Sequence, residues 1–141
     1  MHQPMRRWAV VLLATTIAAV LGGSPARADP TGTWLTQSGE TRVKIAPCGA
    51  ASCGTVVWRK APGTDTKNPD PAKRSRPIVG VQMFSGVKKT GDNEWTGQLY
   101  IFEDGKTYTG KLSMQGSDSM KLSGCVLGGL VCRSQVWTRV Q

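Results

Sequence analysis

The residues able to do chemistry in this chain are few, and their types favour binding over catalysis. The sole histidine is His2. The rest of the chain therefore offers no Ser-His or Cys-His nucleophile and no imidazole for a metal, and only carboxylates, Lys and Tyr remain as acid/base groups. Glu103 and Asp104 are adjacent but stand in a Glu-Asp-Gly turn signal, where a carboxylate ordinarily accepts hydrogen bonds from the turn backbone. Cys48, Cys53, Cys125 and Cys132 have C-x4-C and C-x6-C spacings, which in an exported chain fit disulfides better than a zinc site. The sequence thus predicts no enzyme activity, no metal and no cofactor. Cations, amides and aromatics remain. A guanidinium forks onto a carboxylate or phosphate, and an aromatic face packs an apolar body. The candidates for holding a small anionic or amphipathic ligand are Trp58, Asp65, Asn68, Arg74, Arg76, Tyr108, Arg133 and Gln135.

Residues 1–28 read as a delivery signal. Arg6 and Arg7 are basic, Trp8 to Leu21 is an apolar run too short to span a bilayer, and Ala26-Arg27-Ala28 is a small-x-small cleavage site. General secretion into the periplasm or beyond is expected, with a mature chain from Asp29 that does not span the membrane. The first 28 residues hold three of the 18 basic residues and none of the nine acidic ones, so the mature part carries +6. Such a surplus suits an anionic envelope component; no nucleic-acid recognition motif accompanies it. The remaining 113 residues suffice for one domain with a real core.

The elements that must position these residues are strands. No stretch of the mature chain keeps a 3.6-residue period, whereas short alternating runs rich in Val, Ile, Thr, Trp and Tyr recur between turn clusters. Strands are predicted near 32–37, 41–47, 54–59, 78–87, 94–102, 106–114, 119–127 and 130–140. The fold class is all-β, a single antiparallel up-and-down barrel of about eight strands. Trp34 near the start and Trp137 and Arg139 near the end belong to its first and last strands, with Arg139 stacking on an indole to close one end.

Four cysteines allow three pairings. Gly128-Gly129 as a two-residue hairpin loop sets Cys125 opposite Cys132, in a hydrogen-bonded pair. A second hairpin sets Cys48 opposite Cys53 across residues 49–52. Two local disulfides, Cys48–Cys53 and Cys125–Cys132, follow from these registers. The first register also sends Arg133, Gln135, Trp137 and Arg139 inward. The second puts Trp58 on the inward face with Val43, Ile45 and Val56, and Arg59 outside with Arg42 and Lys44. A third hairpin turns at Asp104-Gly105 and brings Trp95 and Tyr108 to the inner face. Segment 60–77, with four prolines and five basic residues, cannot be a central strand and is expected as a loop or lid at the barrel mouth. An inward Arg133 would need a partner, either a ligand anion or a loop carboxylate such as Asp65 or Asp70.

The succession GTWLTQSGE, CGAASCGTVVW, D-x-x-NPDP-x-x-R-x-RP-x-x-G from Asp65 to Gly80, EWTGQLY, EDGKTYTGKL and RSQVWTRV resembles the domain-of-unknown-function 2147 family of small exported bacterial proteins. The matching positions include Trp34, Cys53, Gly54, Trp58, Asp65, Asn68, Pro69, Arg74, Arg76, Pro77, Gly80, Trp95, Gly97, Tyr100, Asp104, Gly105, Tyr108, Trp137 and Arg139. The resemblance implies a lipocalin-like, calycin-type barrel with a ligand-binding role, and it carries no catalytic residues. Where the family pattern has Tyr-Asp-Pro before the Glu-Asp-Gly turn, this chain has Tyr100-Ile101-Phe102. The opening GTWLTQSGE is also similar to the first strand of avidins.

Two functions compete. One is a carrier that takes a small amphipathic or anionic molecule at the open mouth. The other is an envelope protein-interaction or stress-related module that works through its loops, with a lumen filled by tryptophan. Lumen size separates them.

Overall fold

The computed structural model describes residues 29–140; the delivery signal expected over 1–28 lies outside the described residues. Eight antiparallel strands, each paired with its sequence neighbour, close into a barrel. They are β1 (Gly32–Leu35), β2 (Thr41–Cys48), β3 (Ala51–Arg59), β4 (Gln82–Gly91), β5 (Glu94–Ile101), β6 (Lys106–Met114), β7 (Ser119–Val126) and β8 (Val131–Val140). Closure comes from β1 pairing β8, with Trp34 opposite Arg139. No helix among the described residues is long and apolar enough to cross a membrane.

Period-two alternation does the sorting. On β2, Thr41, Val43 and Ile45 are buried while Arg42 and Lys44 are exposed. The same rule buries Phe84, Leu99, Leu112, Met120, Leu122 and Trp137, so one face of every strand fills the lumen with apolar side chains.

One end of the barrel is sealed. The Arg139 guanidinium lies 4.4 Å over Trp34 and donates to the carbonyls of Ser117, Thr31 and Asp29. The absence of a side chain at Gly32 makes room for this, because a Cβ there would collide with Arg139 Nη1, and Gly32 also takes a φ of 137°. Beneath this clasp Phe84 meets Trp137 edge-on at 5.8 Å. The other end carries the turns after β1, β5 and β7 and the long connection from β3 to β4.

Both predicted disulfides are present, Cys48–Cys53 and Cys125–Cys132. Cys125 stands opposite Cys132 as the register requires. Their Cα atoms are 4.1 Å apart, the spacing of a non-hydrogen-bonded pair and not the hydrogen-bonded one expected. The loop comprises four residues, 127–130, instead of two. At the other bridge Cys48 pairs with Ala51 and Cys53 with Ala46. The turn is therefore Gly49-Ala50, with Gly49 at a φ of 64°, and the disulfide runs diagonally. The β5–β6 turn takes residues 102–105, since Ile101 pairs with Lys106. That slips the expected register by two residues and so leaves every face unchanged.

Two further expectations are corrected. Residues 78–81 form a turn in which Val81 N–H donates to Ile78 and Gly80 has a φ of 102°, so β4 starts at Gln82 and not at 78. On β3 a bulge intervenes. Val43 pairs with Val56 but Arg42 pairs with Trp58, leaving Val57 as an extra residue. Parity inverts beyond it. Trp58 goes to the outer wall, where the Arg42 guanidinium covers it at 4.9 Å, and Arg59 turns inward over Phe102 at 4.8 Å.

Candidate functional site

The unsealed end opens into two recesses that share Ile101, Leu122 and Gln135 as a common wall. The larger, of about 510 Å3, lies between β5, β6, β7 and β8. Its apolar wall comes from Leu99, Ile101, Leu122, Val126 and Val131, and Lys106, Tyr108, Arg133 and Asp104 complete the lining. Alternation along β8 brings Val131, Arg133 and Gln135 to this side while Cys132 and Ser134 take the other parity. Arg133 is at the solvent-exposed rim, so its charge stays hydrated and needs no internal carboxylate. Tyr108 donates a short hydrogen bond to Asp104. That bond raises the phenol's pKa above its ordinary value, with the nearby Arg133 opposing the shift. Gln135 accepts from the Trp137 indole at 2.7 Å, which holds its amide in place and leaves its NH2 as a donor.

The smaller recess, of about 310 Å3, contains Arg59, Glu40, Glu103 and Phe102. The buried Arg59 Nε has no hydrogen-bond partner among the described residues. Arg59 here and Lys106 in the larger recess are site residues that sequence reasoning missed. For Arg59 the signal was the run Val56-Val57-Trp58, since three successive apolar residues cannot all face one side of a regular strand.

The other candidates gather elsewhere. Thr64 bridges Pro77 and Asp65 N–H donates to the Arg76 carbonyl, which pinches segment 66–75 into a tight loop. The fully buried Asp65 carboxylate sits at its centre. Its Oδ2 accepts from Asn68 at 2.8 Å and Arg76 at 3.0 Å, and its Oδ1 accepts from Tyr100 OH at 2.6 Å. Arg74 donates to the Asn68 carbonyl, and Asp70 caps the turn Pro71–Lys73 through Ala72 N–H. Burial pushes the Asp65 carboxyl up, but the donors from Tyr100, Asn68 and Arg76 outweigh it and hold it below the usual range. Burial, together with the bond to Asp65, pushes the Tyr100 phenol up to about 12.

Tyr100 has the parity opposite to the lumen-facing Leu99 and Ile101, so it straps the loop to the outer side of β5. At Gly105 a Cβ would collide with the Lys67 carbonyl; the strap is thus pressed against the β5–β6 turn. No residue of 60–77 lines either recess. The expected tether from Arg133 to Asp65 or Asp70 is therefore replaced by Arg76 and Tyr100. Tyr108, Arg133 and Gln135 come together at the large recess, whereas Asp65, Asn68, Arg74 and Arg76 form the strap and Trp58 stands outside.

Residues 32–139 match the family model described as "Uncharacterized protein conserved in bacteria (DUF2147)". The chain belongs to this family. The DUF2147 barrel is similar in structure to protein HP1028 from Helicobacter pylori, which is described as belonging to the lipocalin family. The TM-score is 0.71 at 23% identity, covering 80% of this chain and 84% of that one; the likeness is one of fold. No curated protein matches the chain in sequence.

Proposed function

We propose that this protein is an exported binding protein, and not an enzyme, which carries a small amphipathic anion in the larger recess. The observation that carries this reading is the recess itself. About 510 Å3 falls within the usual range for ligand pockets, roughly 300–1,000 Å3, and an apolar wall with a few convergent polar groups is the usual composition. The aliphatic wall would take the ligand's apolar body, and Arg133 with Lys106 its anionic head. The NH2 of Gln135 offers a further donor. The lipocalin-like fold supports a binding role, and the lack of histidine beyond His2 supports binding without acid/base turnover.

A dansyl-labelled undecanoate is a suitable probe. Saturable binding is expected, and Arg133→Met should weaken it roughly ten- to a hundredfold, the loss of one charge-assisted contact worth about 1.5–3 kcal/mol. Thermal stability should not change, because the guanidinium is solvated at the rim. Equal affinity of the variant and the parent would remove Arg133 from the site.

A further inference from the structure

The hairpin between β7 and β8 ends in Val126-Leu127-Gly128-Gly129-Leu130-Val131, and its two tip leucines stand in solvent. Leu127 is 72% exposed and Leu130 87%. Turns ordinarily carry polar residues or glycine. Leu127 moreover has a φ of 54°, a left-handed conformation that a leucine rarely adopts and that persists where its surroundings enforce it. Cys125–Cys132 crosslinks the two strands one residue pair below Val126 and Val131. The outcome is a crosslinked hairpin whose tip presents Leu127 and Leu130 to solvent.

The charge beside this tip is positive. Arg133 lies two residues beyond Val131 and Lys106 shares the recess lining with it, two cations against one carboxylate, Asp104, which accepts from Tyr108. From Asp29 onward the chain carries +6.

We propose that this tip docks the protein on an anionic phospholipid surface, with Leu127 and Leu130 entering the interfacial layer and Arg133 and Lys106 facing the headgroup phosphates. A protruding pair of leucines fits a yielding surface, and cations close to an apolar insertion match the combination that holds peripheral proteins on anionic lipid. Val126 and Val131 line the recess and flank the tip, so docking would bring the recess opening to the bilayer. The proposal does not depend on the recess being a ligand site.

Flotation with vesicles tests it, using an equal mixture of phosphatidylglycerol and phosphatidylcholine against phosphatidylcholine alone. The native protein should bind the anionic vesicles, lose binding as salt rises, and ignore the neutral ones. The double variant Leu127→Asn/Leu130→Ser should bind about tenfold or more weakly, from the loss of two apolar side chains. Asparagine tolerates the left-handed backbone, and an unchanged thermal unfolding curve would certify the variant's fold. The undecanoate titration reads the recess separately and should be the same in both proteins.

Failure of the native protein to float, or equal flotation of the double variant, would overturn the proposal. So would a self-associated native protein that the double variant renders monomeric without any lipid binding, since the tip would then pack against a second copy. Loss of undecanoate binding in the double variant with flotation intact would make the tip a lip of the recess instead.

Discussion

Asp65 shows how one carboxylate organises a segment that has no regular structure of its own. Three side-chain donors converge on it from Asn68, Arg76 and Tyr100, and the last lies 35 residues away. Tyr100→Phe removes a hydrogen bond to a buried charge and should cost about 1.5–3 kcal/mol, read by chemical denaturation. The strap should also open first, so limited proteolysis of the variant should cut within 66–75.

The pH dependence has two edges. Asp65 has a lowered pKa in the folded protein, so its stabilising contribution is present above the ordinary carboxylate pKa and is lost as pH falls through the folded value. Tyr100 has a raised pKa, so its contribution is present below 10 and is lost as pH rises through about 12. Stability read by chemical denaturation should therefore be greatest across neutral pH and fall towards both extremes, and Tyr100→Phe should lack the alkaline loss alone. An unchanged alkaline edge in that variant would remove Tyr100 from the strap.

At the scale of elements, the hairpins were legible because turn signals and two-residue periodicity are local. The faces of Arg133, Gln135 and Trp137 follow from Gly128-Gly129 and a count of residues. Trp58 and Arg59 were misplaced because one bulged residue, Val57, inverts everything beyond it, and only cross-strand pairing reveals which residue is extra. The partner of Asp65 was illegible for a related reason: nothing near Asp65 in sequence points to Tyr100.

Each disulfide closes a short loop within one hairpin. Reduction should lower stability by about 2 kcal/mol per bridge in the chain-entropy model and leave the far-ultraviolet β-sheet spectrum intact. Complete unfolding on reduction would show that the lumen packing alone cannot hold the barrel.

The whole molecule is a barrel with one end filled and the other open. Trp34, Trp137 and Phe84 are buried in the lumen, and Arg139 ties β8 to Asp29, Thr31 and Ser117. Arg139→Ala should destabilise by about 2–4 kcal/mol, because three carbonyls lose a charged donor and Trp34 loses its cover. Undecanoate binding at the opposite end should persist under native conditions. The sequence pattern foretold the clasp, but whether tryptophan fills the whole lumen depends on how four indoles distribute. Trp34 is sealed under Arg139, Trp137 is buried but borders the smaller recess, Trp95 is half-buried and Trp58 stands on the outer wall, which leaves space for the recesses.

The proposed cargo of this open half is a small amphipathic anion. Native mass spectrometry of protein isolated without denaturation from its own cells tests it most directly. A drug-sized acidic adduct is expected in the native protein, displaced by undecanoate and missing from Arg133→Met. Bare protein in both, together with no saturable undecanoate binding, would contradict it.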